Sequence, residues 1–578
     1  MLRKIVLRDD RASHWLVFEN PVDVLWTRDI SEVTRLLAAV EARVNDEQLI
    51  AAGYLSYEAA SAFDPALHTQ TGGQLPLLCF GLFNEPRVLQ ELPEPDVRQQ
   101  QAPPWQPATS WARYQACIDK IQSEIALGNT YQINYTFRQT AHNVHDAWQL
   151  FLHIAHAPYG AYVELDTHSV VSASPELFFR LDGDRIVCKP MKGTAPRGTT
   201  LVDDRAARET LRNSAKNLAE NVMITDMMRN DLGRIAEPGS VVAESLFAIE
   251  KYPTVWQMVS TVRARSAASI ASIFAALFPC ASITGAPKAA SMRLIAALEE
   301  EPREVYTGSI GFLRPGREAQ FSVAIRTSWI DSRSSTARYG VGGGIVWDSN
   351  AEDEYRECVD KSRVLLGSYA DRGFELLETL RWDPANSYFL LAEHLERLRD
   401  SAEYFDFSFD RAAIVEALAQ LEQSFSDGHY RVRLLLERNG TVRTEPRPLQ
   451  LPGPATPYRV KLAATPVDAS NPFLYHKTTQ REIYDRARAA HPEFDDVLLW
   501  NKDGYLTETT VANIIVELDG ELCTPPVNSG LLNGTFRQQL VNAGRLIERP
   551  IHRDELGTHT TLRLINSVRG EFTAELHR

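Results

Sequence analysis

Cysteine is scarce and scattered, six residues in 578 (Cys79, Cys117, Cys188, Cys280, Cys358 and Cys523), with no Cys-x-x-Cys pair and no ligand-like spacing. That argues against a disulfide framework or a zinc site and fits reduced thiols in the cytoplasm. Runs of Lys and Arg are missing and the formal charge is −14, so no phosphate-neutralising footprint for a nucleic acid is present. A local basic pocket for a small anion remains compatible with that acidic whole. Long apolar runs are also missing. The most apolar stretch, Ala267 to Ala286, is broken by serines, Pro279 and Gly285, which argues against a membrane span. Met1-Leu2-Arg3-Lys4 meets Arg8-Asp9-Asp10 before any sustained apolar core, so no signal peptide is expected. Three motifs are absent as well. There is no Gly-x-Cys-x-Gly nucleophile turn, hence no recognisable glutaminase. No Gly-Lys-[Ser/Thr] follows a glycine-rich stretch, and Ile345 and Trp347 stand where a dinucleotide fingerprint needs glycine. A soluble cytoplasmic protein is expected.

What is present is a globular composition, 44% hydrophobic and 24% charged, in a chain too long for one core. Two large domains or three smaller ones are expected. Leu78–Phe83 reads as a buried strand, and the Pro- and Gln-rich stretch from Pro93 to Pro107 as a surface connection. A helix from Trp111 places Tyr114, Ile118, Ile121 and Ile125 on one face and ends near Gly128-Asn129, with a strand from Tyr131 to Phe137 after it.

Lys192 follows a hairpin pattern in Lys189-Pro190-Met191-Lys192-Gly193-Thr194. A lysine at a strand end beside a flexible glycine can be poised as a partly desolvated nucleophile, though alone it reads as an ordinary solvated lysine. Further on, Leu211 to Ile235 reads as one long helix with Glu220, Ile224, Met227 and Asp231 on a shared face. A carboxylate on such a face needs a cation to meet it. Ser282-Ile283-Thr284-Gly285-Ala286-Pro287-Lys288 is a turn cluster entering a helix, where backbone amides can face an anion. Gly342-Gly343-Gly344 reads as a glycine-rich turn leading to a helix near Ser349, with Ser349 and Glu352 spaced as a capping box. Glu354, Glu357 and Lys361 share a face of that helix.

Together these stretches resemble the chorismate-utilising enzymes, the family of anthranilate synthase component I and aminodeoxychorismate synthase component I. The matching text is Ser174-Pro175-Glu176-Leu177-Phe178, Pro190 to Thr194, Ala219-Glu220-Asn221 through Arg229-Asn230-Asp231, Ser282 to Lys288, Ala324-Ile325-Arg326-Thr327 and Gly342 to Val346. The resemblance implies an α/β (α+β) fold, an antiparallel β-sandwich with helices, holding Mg²⁺ and chorismate. It implies Glu220, Glu354 and Glu357 at the metal, and Arg326, Gly285, Tyr306, Gly342, Gly343, Gly344 and Lys361 at the substrate. Catalytic roles would fall to Lys192, Glu176 and Thr194. Isochorismate and salicylate synthases are similar but carry a lysine base where this chain has Gln132, and anthranilate synthases carry Ala where it has Lys192. The aminodeoxychorismate branch is therefore expected, in which the lysine adds to ring carbon 2 before ammonia enters at carbon 4. Gln257 departs from the family's usual histidine. A separate glutamine amidotransferase subunit would supply the ammonia.

The last 200 or so residues carry a different pattern after a linker across Arg363 to Gly373. Here His394-Leu395-Glu396-Arg397-Leu398, Lys477-Thr478, Thr507-Glu508 through Ala512-Asn513 and Leu532-Asn533-Gly534-Thr535 resemble fold-type IV pyridoxal-phosphate enzymes, especially aminodeoxychorismate lyase. The resemblance implies a smaller α+β domain in which Lys477 carries the cofactor, Glu508 faces its pyridine nitrogen, and Arg397, Gly534 and Thr535 hold its phosphate. It allows a homodimer through this domain. The expected division is 1–368 and 374–578. The reading that joins the halves is amination of chorismate followed by pyruvate loss to 4-aminobenzoate, on the route to folate. A fold-IV aminotransferase, a non-catalytic docking domain, or an anthranilate synthase are the alternatives.

Overall fold

The computed structural model describes residues 1–96, 104–155, 157–362, 373–426, 428–450, 457–557 and 561–577. Residues 363–372 of the linker expected across Arg363–Gly373 and part of the Pro93–Pro107 connection lie outside them. The chain divides into two compact units, Met1–Pro196 with Arg208–Tyr369, and Arg197–Ala207 with Ala370–Arg578.

The first unit is built on two large antiparallel sheets. One runs Gly285–Ala286, Gln132–Ala141, Thr336–Ile345, Thr327–Asp331, His168–Ser174, Tyr159–Leu165, Leu2–Asp9, His14–Glu19, Arg87–Leu89. The other runs Met191–Pro196, Val255–Arg265, Arg185–Cys188, Leu177–Asp182, Glu318–Val323, Ser309–Arg314, Ile50–Leu55, Leu78–Phe83, Asp23–Thr27. Leu2, Ile5 and Val170 of the first sheet share a buried cluster with Ala52, Tyr54 and Phe312 of the second. A second cluster joins Phe178, Phe179 and Phe321 to Phe274 of the helix Ile270–Leu277. Each such ring, fully removed from water, contributes about 1.5–3 kcal/mol. The expected helix is Trp111–Ala126; Ser110 caps it by accepting from the Arg113 N–H, and Tyr114, Ile118 and Ile121 are its buried face. Ile125 is only partly buried there.

Four local expectations change. The stretch from Leu211 to Ile235 is two helices, Leu201–Arg212 and Ala215–Gly233, because Ser214 accepts from the Asn217 N–H and starts a new helix. The helix Ala351–Ser362 is capped by Asn350, whose Oδ1 accepts from the N–H groups of Glu352 and Asp353, so no Ser349–Glu352 box forms. Ser349 instead donates to Glu354 at 2.8 Å. Gly342, Gly343 and Gly344 are strand residues, paired with Thr136, Tyr135 and Asn134. Lys192 lies within a strand at a register irregularity between Met191 and Thr194, where Gly193 takes φ +101°, a conformation open mainly to glycine.

The second unit carries a four-stranded sheet, Ser387–Tyr388, Leu376–Asp383, Tyr430–Leu436, Val442–Pro448, and an eight-stranded mixed sheet. In the larger one Tyr458–Leu462 pairs in parallel with both Asp496–Trp500 and Gly570–His577. Arg197–Ala207 belongs to this unit. Arg197 stacks 4.5 Å from the Tyr404 ring, and the Tyr404 hydroxyl donates to the Gly198 carbonyl at 2.8 Å. The six cysteines are free and buried. No helix among the described residues is long and apolar enough to cross a membrane.

Candidate active sites

In the first unit the strands Gln132–Ala141 and Thr336–Ile345 form a floor on which side chains are missing for a reason. A Cβ on Gly344 would stand 2.3 Å from Gln132 Nε2 and 2.4 Å from Lys192 Nζ, and one on Gly340 would enter the Tyr306 ring at 2.2 Å. A Cβ on Gly285 would meet the Gln132 carbonyl at 2.2 Å. These glycines let Lys192, Gln132 and Tyr306 approach the backbone.

Burial lowers the Lys192 pKa, while Glu220, Glu357 and Glu354 pull it back up and Lys361 adds to the fall. The amine is thus surrounded by carboxylates yet easier to deprotonate than a surface lysine, the property a nucleophile needs. Its backbone is held from two sides: Asn221 Nδ2 donates to the Lys192 carbonyl at 3.1 Å, and Gln257 Nε2 to the Gly193 carbonyl at 2.9 Å. Thr194 donates to Gln257 Oε1 at 2.9 Å. Gln132 is buried and its Oε1 has no hydrogen-bond partner among the described residues.

Glu176 is buried and accepts from the Ser282 hydroxyl at 2.7 Å. Burial pushes its carboxyl up to about 7, against the opposing pull of Ser282 and Lys192. A carboxyl so poised can give or take a proton near neutrality. Lys361 donates to the Gly342 carbonyl at 2.9 Å and pairs with Glu357 at 2.8 Å. Arg326 sits between two strands at φ +51°, a left-handed conformation that costs a non-glycine residue on the order of 1 kcal/mol. Burial lowers its pKa, opposed by nearby Tyr339 and Tyr252.

No three His, Cys, Asp or Glu side chains among the described residues close on a point as a metal cage would. The chemistry of Glu220, Glu354 and Glu357 still suits Mg²⁺, since carboxylate oxygens are its preferred donors. Burial and the neighbouring charge of Glu357 push Glu354 upward, a repulsion that a divalent cation would relieve. Two supports were not legible as functional. Asp231, expected to need a cation, is met by Lys288 at 2.8 Å. Arg303, fully buried, grips Glu299 and the carbonyls of Ile283 and Asn134, tying the Ser282 turn to the floor strand.

The second unit holds a cavity of about 440 Å³ lined by Lys477, Glu508, Arg397, Gly534 and Thr535 among others. Lys477 lies ahead of the helix Glu482–Ala489, its carbonyl accepting from the Leu377 N–H at 2.9 Å. Burial and the cations Arg397 and Arg481 bring its amine down to about 8. Burial pushes Glu508 up to about 7, although the Leu532 N–H and the Tyr484 hydroxyl donate to it at 3.0 and 2.8 Å. Asn513 donates to its other oxygen at 3.1 Å. Arg397 makes a two-pronged contact with buried Glu378, at 2.8 and 2.6 Å, and donates to the Asn533 carbonyl. The Arg397 and His394 contacts draw Glu378 down to about 2 against its burial. Thr535 opens the helix Thr535–Asn542 with Gly534 at its cap, and its hydroxyl is 3.2 Å from His394 Nε2. A Cβ on Gly534 would fall 2.1 Å from Asn513 Oδ1. An amine, a buried acid and a helix start beside a braced arginine fit pyridoxal phosphate. Tyr484, Asn513 and Glu378 are the residues of this site whose roles only the fold discloses.

Residues 3–367 match the model of the chorismate binding enzymes. This chain belongs to that family. Residues 375–574 match the model of the class IV amino-transferases. Among curated proteins, aminodeoxychorismate synthase component 1 of Salmonella typhimurium is 39% identical over 267 residues, 45% of this chain and 58% of that one. Anthranilate synthase component 1 3 of Haloarcula marismortui is 39% identical over 255 residues, 43% of this chain and 50% of that one. The match thus spans little more than half the length of these relatives. The crystal structure of anthranilate synthase component I from Streptococcus pneumoniae covers 63% of this chain and 92% of its own at 21% identity, TM-score 0.53. The fold is shared.

Proposed function

We propose that the first unit aminates chorismate to 4-amino-4-deoxychorismate and that the second removes pyruvate from this product to give 4-aminobenzoate, a folate precursor. The observation that carries the first half is Lys192, a depressed-pKa amine fitted against Gly344 and Gln132. The amine forms a bond to ring carbon 2 as the double bond shifts and the carbon 4–oxygen bond breaks. Glu176, poised near neutrality, gives the departing hydroxyl its proton. Ammonia then forms a bond at carbon 4, the double bond shifts back, and the carbon 2–nitrogen bond to Lys192 breaks. Gln132 lacks a basic group to activate water, which favours ammonia as the entering nucleophile. Arg326 and Lys361 would meet substrate carboxylates, Arg326 through its planar fork. Mg²⁺ held by Glu220, Glu354 and Glu357 would neutralise a carboxylate of the substrate. The ammonia would come from a separate glutamine amidotransferase, as the name component 1 borne by the Salmonella relative favours.

In the second unit Lys477 would hold pyridoxal phosphate, whose ring acts as an electron sink when bound. Glu508 would face the pyridine nitrogen, and Arg397, Gly534 and Thr535 the phosphate. A lysine amine near 8 is suited to take the proton from carbon 4 of the substrate, after which departure of pyruvate leaves an aromatic ring.

Product identification by mass spectrometry tests both halves, using the full chain with chorismate, Mg²⁺ and ammonium, with and without pyridoxal phosphate. The expected product is 4-aminobenzoate that requires the cofactor. Aminodeoxychorismate alone overturns the lyase half, and anthranilate overturns the first.

A further inference from the structure

The register of the four-stranded sheet puts three arginines in a row. Arg381 of Leu376–Asp383 stands opposite Arg431 of Tyr430–Leu436, which stands opposite Arg447 of Val442–Pro448. Opposed residues of an antiparallel ladder share a face, and like charges so placed repel. Two residues along the same face the row reads Thr379, Arg433, Glu445, and there the central arginine is neutralised by Glu445 at 2.8 Å. The Arg381–Arg431–Arg447 row contains no acid. Arg381 packs its guanidinium 4.3 Å from the Phe389 ring, and its Nε is buried without a hydrogen-bond partner among the described residues. Burial lowers the Arg431 pKa, and Arg447, Arg433 and Arg569 all lower it further.

Arg431 and Arg569 line the same cavity as Lys477 and Glu508, and Glu508 is the only acidic residue of that lining among the described residues. Arg397 in the same lining is already matched by Glu378. Arg431, on the sheet, and Arg569, on the turn ahead of Gly570–His577, therefore add positive charge on elements other than the Gly534–Thr535 helix start that would take a phosphate, and Arg481 adds a further cation to the lining. In a chain of net charge −14, a like-charged row kept beside a cavity calls for an anionic occupant.

We propose that Arg431 and Arg569, backed by Arg381 and Arg447, form an anion subsite that selects an amine substrate bearing two carboxylates over one bearing a single carboxylate. This rests on the reading of the second unit as acting on the dicarboxylate product of the first. A substrate with one carboxylate leaves part of the row unmatched; a dicarboxylate neutralises it through paired guanidinium contacts.

The test is calorimetric titration of the full chain, loaded with pyridoxal phosphate, with isophthalate and with benzoate. Neither probe carries an amine, so no turnover is needed. The chorismate site of the first unit is common to both proteins, so the subsite is read as the difference between wild type and Arg431→Gln. Wild type is expected to prefer isophthalate at least ten-fold, R431Q to lose that margin, and R431K to keep most of it. R447Q, at an exposed strand position, should narrow the margin in the same direction if R431Q fails to fold. Equal affinities in wild type, or an unchanged margin in R431Q or R447Q, overturn the subsite. A margin without 4-aminobenzoate formation would retain the subsite and sink the lyase reading, and 4-aminobenzoate without a margin would do the reverse.

Discussion

Thr194 donates its hydroxyl to Gln257 at 2.9 Å, and the same side-chain amide returns a hydrogen bond to the Gly193 carbonyl at 2.9 Å. The pair closes the irregular stretch that carries Lys192. By holding both neighbours of this stretch through one side-chain amide, Gln257 is suited to act as a positioning residue for Lys192.

Gln257→Met keeps the bulk and removes both bonds. Buried polar groups left unpaired cost about 1–3 kcal/mol, and a displaced Lys192 would lose alignment with the ring. Ammonium-dependent turnover of chorismate should fall on the order of ten-fold with KM for chorismate little changed, alongside a lower melting temperature. Wild-type turnover together with wild-type melting would refute the clamp.

Gly344→Ala probes the floor directly. Its Cβ would have to displace Gln132 or Lys192, at 2.3 and 2.4 Å, and contacts that close force a shift. Chorismate consumption should drop by two orders of magnitude or more, on the order of what a misplacement of about 1 Å costs. Conversion of supplied aminodeoxychorismate should continue, because the second unit does not contain this residue. Equal loss of both activities would mean the variant misfolds; loss of neither would mean that the glycine is not shaping the site.

Covalent loading of Lys477 requires its neutral amine, so the rate of pyridoxal phosphate incorporation should rise with pH through about 8. Arg481 is one of the cations lowering that value. Removing a positive charge stabilises the protonated amine, so Arg481→Gln should move the midpoint to higher pH. Stopped-flow absorbance across pH 6–10 measures it. A midpoint that stays put, or moves down, contradicts the assigned electrostatics.

Much of this arrangement is written locally. Leu78–Phe83 and the helix from Trp111 follow from apolar spacing and a serine cap, and the motif lysines and glycines are visible as residues. Their neighbours are not. Gln257 and Gly193 lie 64 residues apart, and Arg303 and Asn134 lie 169 apart, so only the folded chain brings them together. The three glycines read as a turn because glycine is the common turn residue; their place in a strand comes from pairing with Thr136, Tyr135 and Asn134, and the crowding of Gly344 by Gln132 and Lys192 is something no local pattern discloses. The break at Ser214 rests on one side-chain cap, and no Pro or Gly marks it in the sequence. The Arg381–Arg431–Arg447 row likewise exists only once three strands are aligned.

His476, next to Lys477, gives a stability test with a definite sign. It is buried between Ser401, 3.0 Å from Nδ1, and the Thr199 carbonyl, 3.1 Å from Nε2. Burial brings its pKa down to about 3 from 6.5. Between those values the unfolded chain binds a proton that the folded one does not, so unfolding is favoured as pH falls, and the neutral ring contributes fully only above the unfolded value. His476→Gln can still donate to Thr199 and accept from Ser401 but cannot titrate. Melting temperatures measured from pH 7 to pH 4 should therefore fall less steeply in H476Q than in wild type, with the two curves diverging below about pH 6.5. Parallel curves would show that His476 takes up its proton in the folded state as readily as in the unfolded one, and that its burial between Ser401 and Thr199 imposes no cost on the charged ring.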